Sequence, residues 1–261
     1  MTDTITIKQL TTMDELYQMQ QVEQAVWDIS PNPVHQTYTA LNNGGIILGA
    51  FDGEKMIGFL YSFAGFDGIK PYLCSHMMGF VPGYRQQGLG KKMKLKQFDI
   101  ARNKGYPLIT WTYDPLESRN AYLNLHQLGA TGAYYKPNYY GAMTDKLNKG
   151  LLTDRFQIEW DLTEKTPTPA VSLDTNRLLV YLSANGEPVS NLSIFDTKQP
   201  GWFVPIPENF QAMKEENMTL AKKWRKVTGD VFQALFDAGY TANDLLRDQT
   251  QETSYYYFSR Q

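Results

Sequence analysis

Apolar and polar residues alternate from Ile5 to Leu10, and a period of two marks a half-buried strand. The period then lengthens. Leu16, Met19, Val22 and Val26 recur at helical spacing, which predicts a helix from Met13 capped by Thr12 or Asp14. The turn-rich run 28–33 breaks it, and a short second helix is expected over 34–41, ended by Gly44-Gly45. Strands follow at 46–51 and 56–64, joined by Asp52-Gly53-Glu54-Lys55; glycine supplies the positive φ that a tight hairpin needs. After Asp67-Gly68 come an apolar segment 72–81, a helix 88–104, a strand 107–113, a helix 118–128 stopped by Gly129, and a strand 156–162.

The polar, proline-containing run 163–170 reads as a linker. It divides a first domain, 1–163, from a smaller α+β segment, 171–261, expected to pack on the first. That segment reads as strand, strand, helix, strand, strand. Its clearest element is a helix with Leu220, Trp224, Val227, Val231 and Leu235 on one stripe, and 253–259 supplies a last strand. On the helix 88–104, Leu89, Met93 and Ile100 define a face for the sheet, whereas Leu95 and Phe98 point elsewhere and call for a cover, which the C-terminal segment offers.

Composition narrows the field. Apolar residues make up 42% of the 261 positions, enough for a sizeable core. The formal charge of -2 argues against a dedicated nucleic-acid binder. A single cysteine, Cys74, excludes an intramolecular disulfide and leaves thiolate metal sites without ligands. Three scattered histidines, His35, His76 and His126, give no metal-ligand spacing, so no metal is expected. Residues 1–10 lack the apolar core of a signal peptide, and no apolar run approaches the roughly 20 residues that span a bilayer. A cytoplasmic protein without a membrane partner is the simplest reading.

The most informative stretch runs from Gly79 to Met93. An apolar strand enters Arg85-Gln86-Gln87-Gly88-Leu89-Gly90, where a helix begins. Backbone N–H groups at a helix start bind anions, phosphate above all, and glycine lets the backbone approach closely. Arg85, Lys91, Lys92, Lys94 and Lys96 add positive charge, with no acid before Asp99. A dinucleotide fingerprint would need glycine where Met93 stands, and a P-loop would need its first glycine elsewhere.

Strand, Arg-x-x-Gly-x-Gly and helix resemble instead the pyrophosphate loop of the GNAT superfamily of acyl-CoA-dependent N-acyltransferases. The element order from 5 to 162 is similar to that family's, over about three-fifths of the chain. The runs 75–85 and 110–121 look like a less characterised branch with a C-terminal extension. The resemblance implies an α/β fold of the α+β kind: a mixed, mostly antiparallel central sheet flanked by helices. It implies acetyl-CoA, or another acyl-CoA, as donor, and a small-molecule or peptide amine as acceptor. The strands on either side of the loop helix would splay apart to admit the pantetheine arm. Main-chain groups of Phe80 and Val81 would bind that arm. Those from Gln86 through Gln87, Gly88, Leu89 and Gly90 to Lys91, with Arg85 beside them, would hold the pyrophosphate.

The chemistry needs a base, since an amine of pKa near 10.4 is neutral in roughly one molecule in 2,500 at pH 7. Where the family often places a glutamate, this chain has no carboxylate between Pro71 and Arg85; His76 is the conventional base available, or else a core histidine. The family's usual acid is a tyrosine at the position of Leu125, and Ser118 stands where asparagine is common. Tyr122, one turn away, and Tyr139 or Tyr140 are the replacements on offer. Trp27, Asp28, His35, Tyr38 and the tyrosines at 134, 135, 139 and 140 would suit an organic cation, a lid or a homodimer interface equally. Two other readings stay open: a non-catalytic CoA-binding module or sensor, and a tandem aminoacyl-type transferase.

Overall fold

The computed structural model describes residues 5–28, 30–85, 87–143, 145, 148–163, 170–247 and 252–260. It divides into two compact units: Met1–Trp111 with Trp160–Lys165, and Thr112–Glu159 with Thr166–Gln261. The division therefore falls at the middle of two strands and not at 163–170, the expected linker, most of which lies outside the described residues.

In unit 1, β1 (Thr6–Gln9), β2 (Ile46–Asp52), β3 (Lys55–Phe66) and β4 (Pro71–Phe80) form an antiparallel meander, and β5 (Leu108–Tyr113), which runs on into unit 2, joins β4 in parallel. Helix α1 (Met13–Trp27) starts in a capping box: Glu15 N–H donates to Thr12 Oγ1, and the Glu15 carboxylate accepts from Thr12 N–H. Its face of Leu16, Met19 and Val22 packs with α2 (Val34–Asn42) on Ile47, Phe59 and Tyr61 in the core. Trp27 presses edge-on against Phe59, with ring centroids 5.7 Å apart. Its ring also lies so close to Gly79 that a Cβ built there would sit 2.7 Å from it. Only glycine lets β4 pass beneath that indole.

Helix α3 (Leu89–Asn103) buries Leu89, Met93, Lys94, Gln97 and Ala101, a stripe of i, i+4 steps with Lys94 beside it. On the other side of α3, Leu95 is 43% exposed, and Phe98 packs on Trp160 of the same unit, 4.7 Å between ring centroids. A single exposed leucine on a helix is ordinary and needs no partner.

In unit 2, β7 (Arg155–Asp161), β6 (Thr131–Lys136), β11 (Thr241–Arg247), β12 (Thr253–Ser259) and β10 (Gly201–Pro207) lie in that order, each antiparallel to its neighbour. A separate hairpin joins β8 (Val180–Leu182) and β9 (Pro188–Ser190). Helix α5 (Phe210–Glu216) precedes α6 (Met218–Asp237), whose buried face of Trp224, Val231, Phe232 and Leu235 matches most of the stripe read from the sequence. The core is aromatic: Phe156, Phe232, Phe236, Tyr256 and Phe258 stack within 6.1 Å of one another's neighbours. The helix expected over 118–128 is α4 (Ser118–Ala121) followed by a π-helical segment, Tyr122–Gln127.

Candidate functional site

Gly88 caps α3 in the left-handed conformation, φ 72°, and no side chain accepts a hydrogen bond at this N-terminus. A Cβ built on Gly88 would meet nothing within 4 Å, so the space over the first turn is open. The first N–H groups of a helix have no intrahelical partners and carry partial positive charge. Lys91 and Lys92 are exposed in this first turn. A pyrophosphate fits this cradle by charge, by donor number and by room. Gln87 Nε2 donates to Gly83 O (3.1 Å), tying the loop to its own start, while Gln86 lies outside the described residues.

The strand leading into the loop departs from expectation at one point. Val81 N–H donates to Ile57 O (2.9 Å), and Val81 O accepts from Tyr84 N–H (3.0 Å), so Val81 offers no free main-chain donor. Main-chain groups alternate sides along a strand, and Phe80 N–H, one residue earlier, points to the opposite edge. Phe80 O accepts from Arg85 Nε (3.1 Å), which turns Arg85 back onto the strand.

On that edge β4 and β5 are in register only at Leu73↔Ile109 and Cys74↔Thr110. Beyond this rung the two strands part. On the other side β4 carries a bulge against β3: Ser75 pairs with Ser62 and Met77 with Tyr61, leaving His76 as the extra residue. His76 is exposed, with its ring beside Tyr61 (6.1 Å) and Phe63 (5.7 Å). Desolvation by these neighbours holds its pKa below the ordinary 6.5, so the imidazole is neutral at pH 7. Cys74 is half-buried, and burial pushes its thiol pKa up, which keeps it from being a thiolate.

Two buried charged groups of unit 1 escaped the sequence reading. Lys94, counted above among the loop's charges, is 3% exposed, and its Nζ donates to Ser75 Oγ on β4 at 2.8 Å. Glu23 on α1 is 1% exposed and accepts from the backbone N–H of Asn32 (3.1 Å) and from its amide (2.6 Å). Burial raises its pKa, and it pins the 28–33 turn against α1. The sequence signal for either was helical phase: 23 falls on the apolar stripe of α1, and 94 lies beside that of α3.

The tyrosines belong to unit 2. Tyr122 stacks on His126 (4.6 Å, 18°), and the Arg247 guanidinium sits 5.2 Å from the Tyr122 ring on another side. His126 is partly exposed, and its Nδ1 is paired with Asp244 at 2.9 Å. Tyr139 is exposed, lies against Tyr140 (4.7 Å) and has Lys136 Nζ over its ring at 5.0 Å. Leu125 is fully buried, and Ser118 Oγ bonds Ser254 and Glu208, 2.8 Å each. Among the described residues, no cluster of three or more His, Cys, Asp or Glu side chains is set to hold a metal.

A mostly antiparallel sheet, strands that part beside a glycine-capped helix, and a bulge on the leading strand are features of the GNAT fold. Residues 12–129 match the family model described as Acetyltransferase (GNAT) family. A comparison with curated sequences finds no match. Among solved structures, the chain is similar to the ribosomal-protein-S18-alanine N-acetyltransferase of Escherichia coli, at 18% identity over 64% of this chain and 100% of that one, TM-score 0.50. It is similar also to yncA from Salmonella typhimurium, solved with its cofactor acetyl-CoA, at 18% identity over 64% and 99%, TM-score 0.50. An N-acetyltransferase from Staphylococcus aureus Mu50 is similar at 15% identity over 61% and 99%, TM-score 0.50. Residues 12–129 thus match an acetyltransferase (GNAT) domain, and the solved structures share its fold. The matched family is described as one of acetyltransferases.

Proposed function

We propose that acetyl-CoA is held with its pyrophosphate on the N–H groups of Gln87, Gly88, Leu89, Gly90 and Lys91, and that His76 receives the proton of the attacking amine. The uncapped, open N-terminus of α3 behind a left-handed Gly88 carries this reading. Acetyl-CoA supplies the activated acyl group. Phe80 N–H, on the free edge of β4, is the main-chain donor for the pantetheine arm, and Val81 is dropped from that role because its N–H is already engaged. The amine nitrogen bonds the thioester carbon, the C–S bond breaks, and the amine proton passes to a ring nitrogen of His76. That imidazole has no hydrogen-bond partner among the described residues and a pKa held below its ordinary value, so it is free and neutral when the amine arrives.

The acceptor is a primary amine on a small molecule or peptide, met by the aromatic surface of α1 and α2 that includes Trp27 and Tyr38. Tyr122 and Tyr139 are the candidates for protonating the departing thiolate, and phenylalanine at each position decides between them. No helix of the described chain is long and apolar enough to cross a membrane; a cytoplasmic site of action and a homodimer complete the reading. Calorimetry with acetyl-CoA and CoA tests it, with Gly88→Glu as control. Micromolar binding that the variant loses supports the donor site, and CoA release with a panel of amines then measures turnover. Binding without turnover on any amine would favour a CoA sensor, and no binding would overturn the assignment.

A further inference from the structure

At the point where β4 and β5 part, a lysine touches a side chain of each strand. The last rung is Cys74↔Thr110. The next residue on each strand is Ser75 on β4 and Trp111 on β5, both buried. Lys94, from the second turn of α3, reaches this pair of positions: its Nζ donates to Ser75 Oγ at 2.8 Å and lies 3.6 Å from the centroid of the Trp111 ring. Gln97, one turn on and fully buried, completes the cluster. Its Oε1 is 3.4 Å from Lys94 Nζ, and its Nε2 donates to Ser75 Oγ at 3.1 Å.

An ammonium has three N–H directions, and here they find a hydroxyl, an amide oxygen and an aromatic face. Among the described residues none of the partners is a carboxylate. The one titratable group bearing on Lys94 is Cys74 on β4, a neutral thiol whose pKa is raised by burial; Ser75, Gln97 and Trp111 carry no charge. Burial lowers the lysine pKa to about 7. A leucine or methionine at this helix position would fill the same interior without desolvating an amine, so stability does not account for the lysine. Its placement does. Two parallel strands that have begun to pair continue to do so unless something occupies the space between them, because their unpaired N–H and C=O groups are complementary.

We propose that Lys94 is a positioning residue of the donor site, lodged between Ser75 and Trp111 as a wedge that keeps β4 and β5 apart and leaves the edge of β4 free for the acyl-CoA arm. The inference rests on the donor-site reading above and adds to it the residue that maintains the fork. The protonated side chain grips both partners, and the neutral one keeps only the hydrogen bond, so the wedge loosens as pH rises through 7.

The test compares the full-length wild-type chain with Lys94→Met, Ser75→Ala and Trp111→Phe. Acetyl-CoA affinity is measured by calorimetry from pH 6 to 8.5, and deuterium uptake over 75–80 is measured in the ligand-free proteins. Wild-type affinity should fall as pH rises through 7. Lys94→Met should bind acetyl-CoA at least tenfold more weakly at pH 6.5 with a flat pH profile, raise the KM for donor while leaving the KM for amine unchanged, and slow exchange over 75–80 as the strands close. Ser75→Ala and Trp111→Phe, which keep the lysine, should each weaken binding several-fold; they carry the test if Lys94→Met does not fold. Binding within twofold of wild type, with the same pH dependence and unchanged exchange, would overturn the wedge. A wild-type chain that binds no acetyl-CoA would instead overturn the donor site, while exchange in the ligand-free proteins still reports whether Lys94 holds the strands apart.

Discussion

Replacing Lys94 by methionine should make the protein more stable, and more so in acid than in base. Burial with no counterion lowers the lysine pKa from 10.5 to about 7. Between those two values the unfolded chain holds a proton that the folded chain has lost, so unfolding takes up a proton and stability rises with pH. Below pH 7 the full cost of burying the charge is present; it is relieved as pH climbs toward 10.5. At 1.36 kcal/mol per pK unit, the shift sets a ceiling of about 5 kcal/mol, of which about 3 kcal/mol is relieved between pH 6 and pH 9. Other titrating groups are common to both proteins and cancel in the difference. Urea denaturation of wild type and Lys94→Met at pH 6, 7, 8 and 9 gives that difference directly. It should shrink by about 3 kcal/mol across the series. A difference constant to within about 0.5 kcal/mol would mean that Lys94 titrates as an exposed lysine does, and the buried ammonium without a carboxylate partner would be refuted.

Gly88→Glu should abolish acetyl-CoA binding to the limit of calorimetry while costing about 1 kcal/mol of stability, because a side chain at φ 72° is strained and its carboxylate opposes the phosphates. His76→Gln should lower kcat/KM by about 10²-fold or more, and the wild-type acid limb should fall below pH 6.5, since desolvation beside the Tyr61 and Phe63 rings lowers the imidazole pKa and the base works only when neutral; an unchanged profile in the variant would remove His76 from the chemistry. Gly79→Ala should destabilise unit 1 by about 1–3 kcal/mol, its methyl meeting the Trp27 ring, as thermal denaturation would record. Arg225→Met should cost about 3–5 kcal/mol, because it strands the Asp114 carboxylate that the buried guanidinium holds through both of its terminal nitrogens.

What could be read along the chain was whatever depends on neighbours in sequence. The capping box at Thr12 and Glu15, the hairpin at Asp52-Gly53, the glycine that starts α3 and the stripe on α6 follow from local propensity and period, which act before any tertiary contact forms. The phosphate cradle was legible for the same reason, since strand, turn and helix start lie within one short segment. Whatever depends on partners distant in sequence was not. Lys94 reads as one more basic residue beside a loop, and only its contacts with Ser75 and Trp111 turn it inward. Val81 reads as a free edge until Ile57 takes its N–H. The bulge that extrudes His76 is a mismatch between β3 and β4, invisible in either strand alone. A polar, proline-containing run suggested a boundary near 163–170, yet Thr112–Glu159 groups with the C-terminal segment. Its strands pair there with β11, and Phe156 packs among the aromatic side chains of α6 and β12. Sequence sets the period and the caps; long-range burial and pairing decide which side chain the period delivers to which neighbour.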